Sequence, residues 1–172
     1  LLKGLKQNAH VVLNKDDANI KYWLKFANDK SVTTFGFSKD SNVTGTYKVR
    51  EDSSEIKISL LNKNWEIILQ LPGAHNVRNA LAAATAASLA GVPPEIIVNG
   101  LQKYKGISGR LNTIILPRNI CLYDDSYNAN PDSVKAAIEV LSAKPGDKIF
   151  VMGEMGELGE AAPDLHRKIG IF

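Results

Sequence analysis

The stretch ICLYDDSYNANPDSVKAAIEVL, residues 120–141, joins an apolar run, a polar cluster and an amphipathic segment without a break. Ile120, Cys121 and Leu122 read as a strand. Asn130 followed by Pro131 reads as a helix start, because an asparagine oxygen can accept an orphan backbone N–H and proline suits the first helical position. Val134, Ala137, Ile138 and Leu141 then recur on one side at helical spacing. Capping explains Asn130 and Pro131, but it leaves Asp125, Tyr127 and Asn128 unexplained as a group. Ligand sites in open α/β sheets commonly lie at strand ends, where a carboxylate such as Asp124 or Asp125 can take a ribose hydroxyl or hold a lysine.

Outward from this stretch the same grammar continues. TIILP before it reads as a strand. Lys144-Pro145-Gly146 ends the helix, and KIFVMG, 148–153, reads as a further buried strand. Gly153, Gly156 and Gly159 break up the loop that follows. That loop, MGEMGELGE, has neither the spacing of a dinucleotide fingerprint nor a Lys-Ser/Thr ending, and its three glutamates would repel phosphate. On the other side, the glycines of KGISGRLN, 105–112, suggest a linker or hinge.

Before that hinge, Pro94 opens a helix, and Gly91 with Val92-Pro93-Pro94 stops an earlier one that begins near Gly73 with Asn76 as a plausible N-cap. Ile56, Ile58 and Leu60, then Trp65, Ile67, Leu69 and Leu71, alternate with polar residues around Asn62-Lys63-Asn64. This is a hairpin signal, and 43–49 adds a third antiparallel strand. Val11–Leu13, the helical spacing of Ile20, Trp23, Leu24 and Ala27, and the strand SVTTFGF suggest a βαβ unit with parallel pairing. The class is α/β, read as the tail of one domain joined to the head of another.

Composition narrows the function. With 44% apolar and 23% charged residues the chain is an ordinary folded protein, and a scattered net charge of +3 argues against a nucleic-acid partner. Cys121 is the single cysteine, so no internal disulfide is possible and a reducing compartment fits. The alanine-rich segment 80–92 falls short of the ~20 residues of a membrane span, and no signal peptide is visible. His75 and His166 lack triad partners at a telling spacing. The chain opens without Met and stops within or just after a helix, which reads as a piece of a longer protein.

Three further side chains invite a ligand. Asn76 and Asn79, three apart at a helix start, offer carboxamides suited to nucleotide atoms, although from spacing alone one cap and one exposed asparagine is the more ordinary explanation. Arg110, in the hinge loop, could clamp a phosphate with two hydrogen bonds or simply be solvated.

Together GAHNVRNALAAATAA, GRLN, DDSYNANPDSVKAAI and VMGEMGELGE resemble the Mur ligase family, ATP-dependent amide-forming ligases of bacterial peptidoglycan synthesis. The likeness runs from about Val11 to the end, in the family's order. It implies that 1–109 is the second part of a central ATPase domain, a mixed sheet with an antiparallel hairpin, and that 110–172 begins a Rossmann-like C-terminal domain. DDSYNANP and MGEMGELG resemble the branch whose substrates are UDP-N-acetylmuramoyl-tripeptide and D-alanyl-D-alanine.

On that resemblance Asn76, Asn79, Arg110 and Asp125 contact ATP, with Arg110 and Asp125 nearest the chemistry, and Tyr127 and Asn128 adjoin the nucleotide or dipeptide. Mg2+ would be held by residues N-terminal to this stretch, and the setting would be the bacterial cytoplasm, with no membrane partner. No Gly-x-x-x-x-Gly-Lys-[Ser/Thr] loop occurs, so this chain alone is expected to lack ligase activity. The alternatives are another family member, such as a folylpolyglutamate synthase, and a non-catalytic interaction module that keeps the fold.

Overall fold

Val11, Phe35, Val43, Ile56, Ile58, Leu60, Ile67 and Leu69 are the buried hydrophobic residues of five strands in a computed structural model, which describes residues 2–6, 8–60 and 63–172. β1 (His10–Asn14), β2 (Ser31–Gly36), β3 (Val43–Val49), β4 (Ser54–Leu60) and β5 (Lys63–Leu69) lie in that order across one sheet. β1–β2 and β2–β3 pair parallel, whereas β3–β4 and β4–β5 pair antiparallel. Residues 15–30 between β1 and β2 are long enough for a crossover, and the short connections from β3 to β5 suit antiparallel pairing. β2 and β3, joined by 37–42, pair in parallel only at Phe35 with Val43 and Gly36 with Thr44. Period two in the sequence becomes period two in burial: Ile56, Ile58, Leu60, Ile67 and Leu69 are each at most 2% exposed.

Two expectations need correction here. Lys63 and Asn64 belong to β5 rather than to the connector, while Asn62 lies outside the described residues. The first helix, α1 (Ile20–Lys25), buries none of its own residues, and Trp23 is exposed. Tyr22 packs edge-on against Trp23 and Phe26 instead, with ring centroids 5.2 and 4.9 Å apart. Of the four residues at helical spacing only Ala27, beyond the helix end, is buried.

α2 (Ala74–Leu89) covers the sheet. Val77, Ala80, Leu81, Ala84 and Thr85 recur three and four apart and are buried against β1 to β4. The approach is close at Gly45, where a Cβ would stand 3.1 Å from the Lys57 carbonyl oxygen and 3.2 Å from Leu81 Cδ2. Each large aliphatic side chain buried here contributes roughly 1.5–3 kcal/mol. The predicted stop is present, with Gly91 N–H donating to the Ser88 carbonyl and Val92 N–H to that of Ala87, both at 3.0 Å. α3 (Pro94–Lys103) then buries Ile97 and packs on β5 and α2.

The chain divides into two compact units, Leu1–Tyr104 and Lys105–Phe172. In the second, β6 (Asn112–Leu116) and β7 (Ile120–Asp124) form an antiparallel hairpin. Its turn holds Arg118 and Asn119 at φ 64° and 57°, the backbone that tight hairpins require. α4 (Pro131–Ser142) and α5 (Ala162–Ile171) follow, with Val134, Met155 and Ile169 as a small buried cluster.

Segment 148–153 is not the buried strand its composition predicts. It has no ladder partner among the described residues, and Ile149 and Val151 are 85% and 87% exposed. Apolar β-branched residues favour a strand only where a neighbouring strand takes their backbone hydrogen bonds.

Candidate functional site

In the first unit the candidate residues stand on the opening turn of α2. Asn76 is not the N-cap. Gly73 occupies that position, and Asn76, whose own N–H donates to the Gly73 carbonyl at 3.1 Å, is already inside the helix. Its Nδ2 reaches back to the Pro72 carbonyl at 2.8 Å, which orients the carboxamide and leaves its oxygen without a hydrogen bond among the described residues. Asn79, three residues on, is exposed and likewise makes none.

Arg78, between them, lies over the Phe37 ring at 5.4 Å, and its buried Nε has no hydrogen-bond partner among the described residues. Phe37 belongs to a loop tied down by Asp16, a role the sequence did not reveal. Asp16 accepts from Phe37 N–H at 2.6 Å, from Ser38 N–H at 3.1 Å and from the Ser38 hydroxyl at 2.6 Å. Burial pushes the Asp16 carboxyl up, but the Ser38 hydroxyl, the two N–H groups and the Arg78 charge outweigh it and hold it below its ordinary value. These partners are more than twenty residues away, so no local pattern could have shown the contact.

In the second unit the hinge loop and the strand-end loop are laced together. Tyr127 N–H donates to the Gly109 carbonyl at 3.0 Å, and Leu111 N–H donates to Asp125 Oδ1 at 3.1 Å. The Arg110 guanidinium, between those anchors, lies 4.5 Å from the centre of the Tyr127 ring. Gly109 is required at its place: φ is +75°, and a Cβ would stand 3.2 Å from both the backbone nitrogen and the Cβ of Tyr127.

Neighbouring groups complete the rim. The Ser126 hydroxyl and N–H, and then the Gly109 N–H, hold the Asp124 carboxyl below its ordinary value; the Ser126 N–H lies at 3.1 Å. Asn128 Oδ1 accepts from Ala129 N–H at 2.9 Å. The predicted cap at Asn130 is present and doubled: its oxygen accepts from Asp132 and Ser133 N–H, and Ser133 Oγ accepts from Asn130 N–H at 2.9 Å.

Four sequence candidates, Arg110, Asp125, Tyr127 and Asn128, thus stand at one rim, and Asn76 and Asn79 share one turn of α2. The rim also involves Gly109, which the sequence marks only as a hinge glycine, and Leu111, whose only signal was the Gly-Arg-Leu-Asn run. Behind the rim a cleft of about 700 Å³ is lined by Asp124, Asp125, Ser126, Val134, Phe150 and Met152 among others. His166 lies elsewhere and is structural. Its Nε2 accepts from Met155 N–H at 3.0 Å and its Nδ1 pairs with the Ala162 carbonyl at 2.8 Å, a tautomer fixed by that pair of contacts.

Chemically the rim offers a cation, Arg110, with no carboxylate partner among the described residues, beside a carboxylate with one oxygen engaged. Such a pair suits an anion attached to a group that donates hydrogen bonds. It does not suit a metal: no group of three or more His, Cys, Asp or Glu among the described residues could hold one. Nor is any described helix long and apolar enough to cross a membrane.

Residues 1–87 match the family model of the Mur ligase middle domain, and 109–171 match that of the Mur ligase, glutamate ligase domain. The UDP-N-acetylmuramoyl-tripeptide--D-alanyl-D-alanine ligase of Escherichia coli strain K12 is 34% identical over 99% of this chain and 38% of its own length. The protein of that name from Bacillus subtilis strain 168 is 38% identical over 99% of this chain and 36% of its own. A crystal structure of MurF from Acinetobacter baumannii superposes with a TM-score of 0.88 at 32% identity, covering 96% of this chain and 36% of that one. The chain therefore spans well under half the length of these relatives, and it belongs to the Mur ligase family.

Proposed function

We propose that this chain is part of an ATP-dependent ligase that joins D-alanyl-D-alanine to UDP-N-acetylmuramoyl-tripeptide in bacterial peptidoglycan synthesis, in the cytoplasm. The likeness over nearly the whole chain to ligases of that name carries the reading. In it, the first unit is the later part of the ATP-binding central domain and the second opens the Rossmann-like ligase domain.

The reaction needs charge and positioning more than a covalent partner. The tripeptide carboxylate attacks the γ-phosphorus of ATP and ADP leaves. The dipeptide amine then attacks the acyl carbon and phosphate leaves. Negative charge builds on the transferring oxygens, and a guanidinium meets it with two N–H donors. Arg110 is the group in this chain suited to that task.

Asp125, with Oδ2 unengaged among the described residues, suits a ribose hydroxyl. The Asn76 oxygen and the Asn79 carboxamide suit other nucleotide atoms, while Tyr127 and Asn128 border the nucleotide or the dipeptide. Mg2+ would be held by other parts of the longer protein, as no group of three or more His, Cys, Asp or Glu among the described residues could hold it. The 172-residue chain by itself is inactive on this reading, as it contains no Gly-x-x-x-x-Gly-Lys-[Ser/Thr] cradle for the triphosphate.

The test is phosphate release by the full-length parent with paired substrates. The expected result is release only with UDP-N-acetylmuramoyl-tripeptide and D-alanyl-D-alanine together. Release with D-glutamate and its nucleotide-sugar acceptor, or with glutamate and a folate, would replace this reading by another member's. ATP turnover by the 172-residue chain would refute its predicted inactivity.

A further inference from the structure

We infer that Tyr127 is a positioning residue for Arg110, acting through its ring face rather than by contact with the nucleotide. The inference rests on the ligase reading above and goes further by naming what aims the phosphate-binding group.

Arg110 sits on an exposed loop, where a long side chain ordinarily samples many rotamers. Here both flanks of the loop are fixed by the Tyr127 side of the rim. The Gly109 carbonyl takes the Tyr127 N–H at 3.0 Å, and the Leu111 N–H is held by Asp125 at 3.1 Å. The guanidinium between them lies over the Tyr127 ring at 4.5 Å, inside the range of a cation–π contact. No carboxylate among the described residues competes for it.

The manner of holding matters. A salt bridge would occupy the N–H donors that a phosphate needs. A ring contact holds the cation without pairing its N–H donors to a carboxylate, so they stay available to a phosphate. Gly109 supports the same contact, because any side chain there would push against the backbone and Cβ of Tyr127. The phenolic hydroxyl has no part in this arrangement, so the ring alone should suffice.

The test uses the full-length parent and compares wild type with Arg110→Ala, Tyr127→Ala, the double variant, Tyr127→Phe and Tyr127→Leu. Dipeptide-dependent phosphate release gives kcat and the KM for ATP. The expected result is that Tyr127→Ala and Tyr127→Leu lower kcat about tenfold with KM within about twofold, the pattern of a misaimed group that acts in the transition state. Tyr127→Phe should restore most of the rate that Tyr127→Ala loses. Tyr127→Ala should add nothing in the Arg110→Ala background, as coupled residues behave.

If Tyr127→Ala does not fold, the Phe and Leu variants decide, since both fill the space and only one keeps a π face. Independent, additive losses, or a rise in the KM for ATP with kcat unchanged, would overturn the inference and make Tyr127 a direct ligand. An active wild type in which Phe and Leu behave alike would also overturn it. A wild type without dipeptide-dependent release would instead remove the ligase reading and this inference with it.

Discussion

Leu111 donates its N–H to Asp125 Oδ1 at 3.1 Å while holding a φ of 51°, a backbone conformation that costs a non-glycine residue about 1 kcal/mol. One carboxylate therefore has two tasks, bracing the hinge loop with one oxygen and presenting the other at the rim. Asp125→Ala is expected to lower the stability of the second unit by about 1 kcal/mol, read as a shift in the urea midpoint at constant slope. Asp125→Asn, which keeps an acceptor, should shift it less. Equal shifts would remove the bracing role.

Gly109 gives a steric prediction. An alanine there meets both a left-handed φ and a 3.2 Å approach to Tyr127. Gly109→Ala should destabilise the second unit by about 1–2 kcal/mol. A thermal midpoint equal to wild type would show that this loop relaxes freely.

At the start of α4 the cap can be dissected. Asn130→Ala removes acceptors for two N–H groups and should cost about 1 kcal/mol, whereas Ser133→Ala removes only the return bond and should cost less. Urea titration of the single variants, checked against the double, measures the difference. The reverse order would contradict the assignment of Asn130 as the principal cap.

Acid stability follows from Asp16 and Asp124. Both are held below the ordinary 3.8, so each is easier to ionise folded than unfolded. Their contribution is present above that ordinary value and is lost as pH falls through the lowered folded one. Unfolding midpoints should therefore drop between about pH 5 and pH 2, and the drop should be shallower in Asp16→Asn. Asp16 is exposed and Asp124 only half-buried, which limits the effect through solvent screening. An unchanged acid limb in Asp16→Asn would show that this loop contact does not carry the charge-dependent stability.

The sequence disclosed the elements whose signals are local. Ile56, Ile58 and Leu60 announce β4 by period two, and Asn130-Pro131 announces α4 by its cap chemistry. It misread elements whose environment is remote. Trp23 has the spacing of a core residue but lies exposed, and Ile149 and Val151 have strand composition without a ladder. Asn76 was misplaced by three residues because Gly73 starts the helix without a side-chain cap, which composition alone does not reveal.

The same division applies to the site. Arg110 and Asp125 were readable as chemistry-bearing types beside glycine and at a strand end. The contacts that organise them, Tyr127 on Gly109 and Leu111 on Asp125, span fourteen residues or more and depend on backbone direction. Asp16 and Ser38 are a longer example of the same limit.

ATP affinity of the full-length parent tests the proposed nucleotide contacts of Asn79 and Asp125 most directly. Calorimetric titration of wild type, Asn79→Ala and Asp125→Ala should show each substitution weakening ATP by at least about fivefold, the loss of one hydrogen bond. If both variants bind ATP as wild type does, these contacts are wrong.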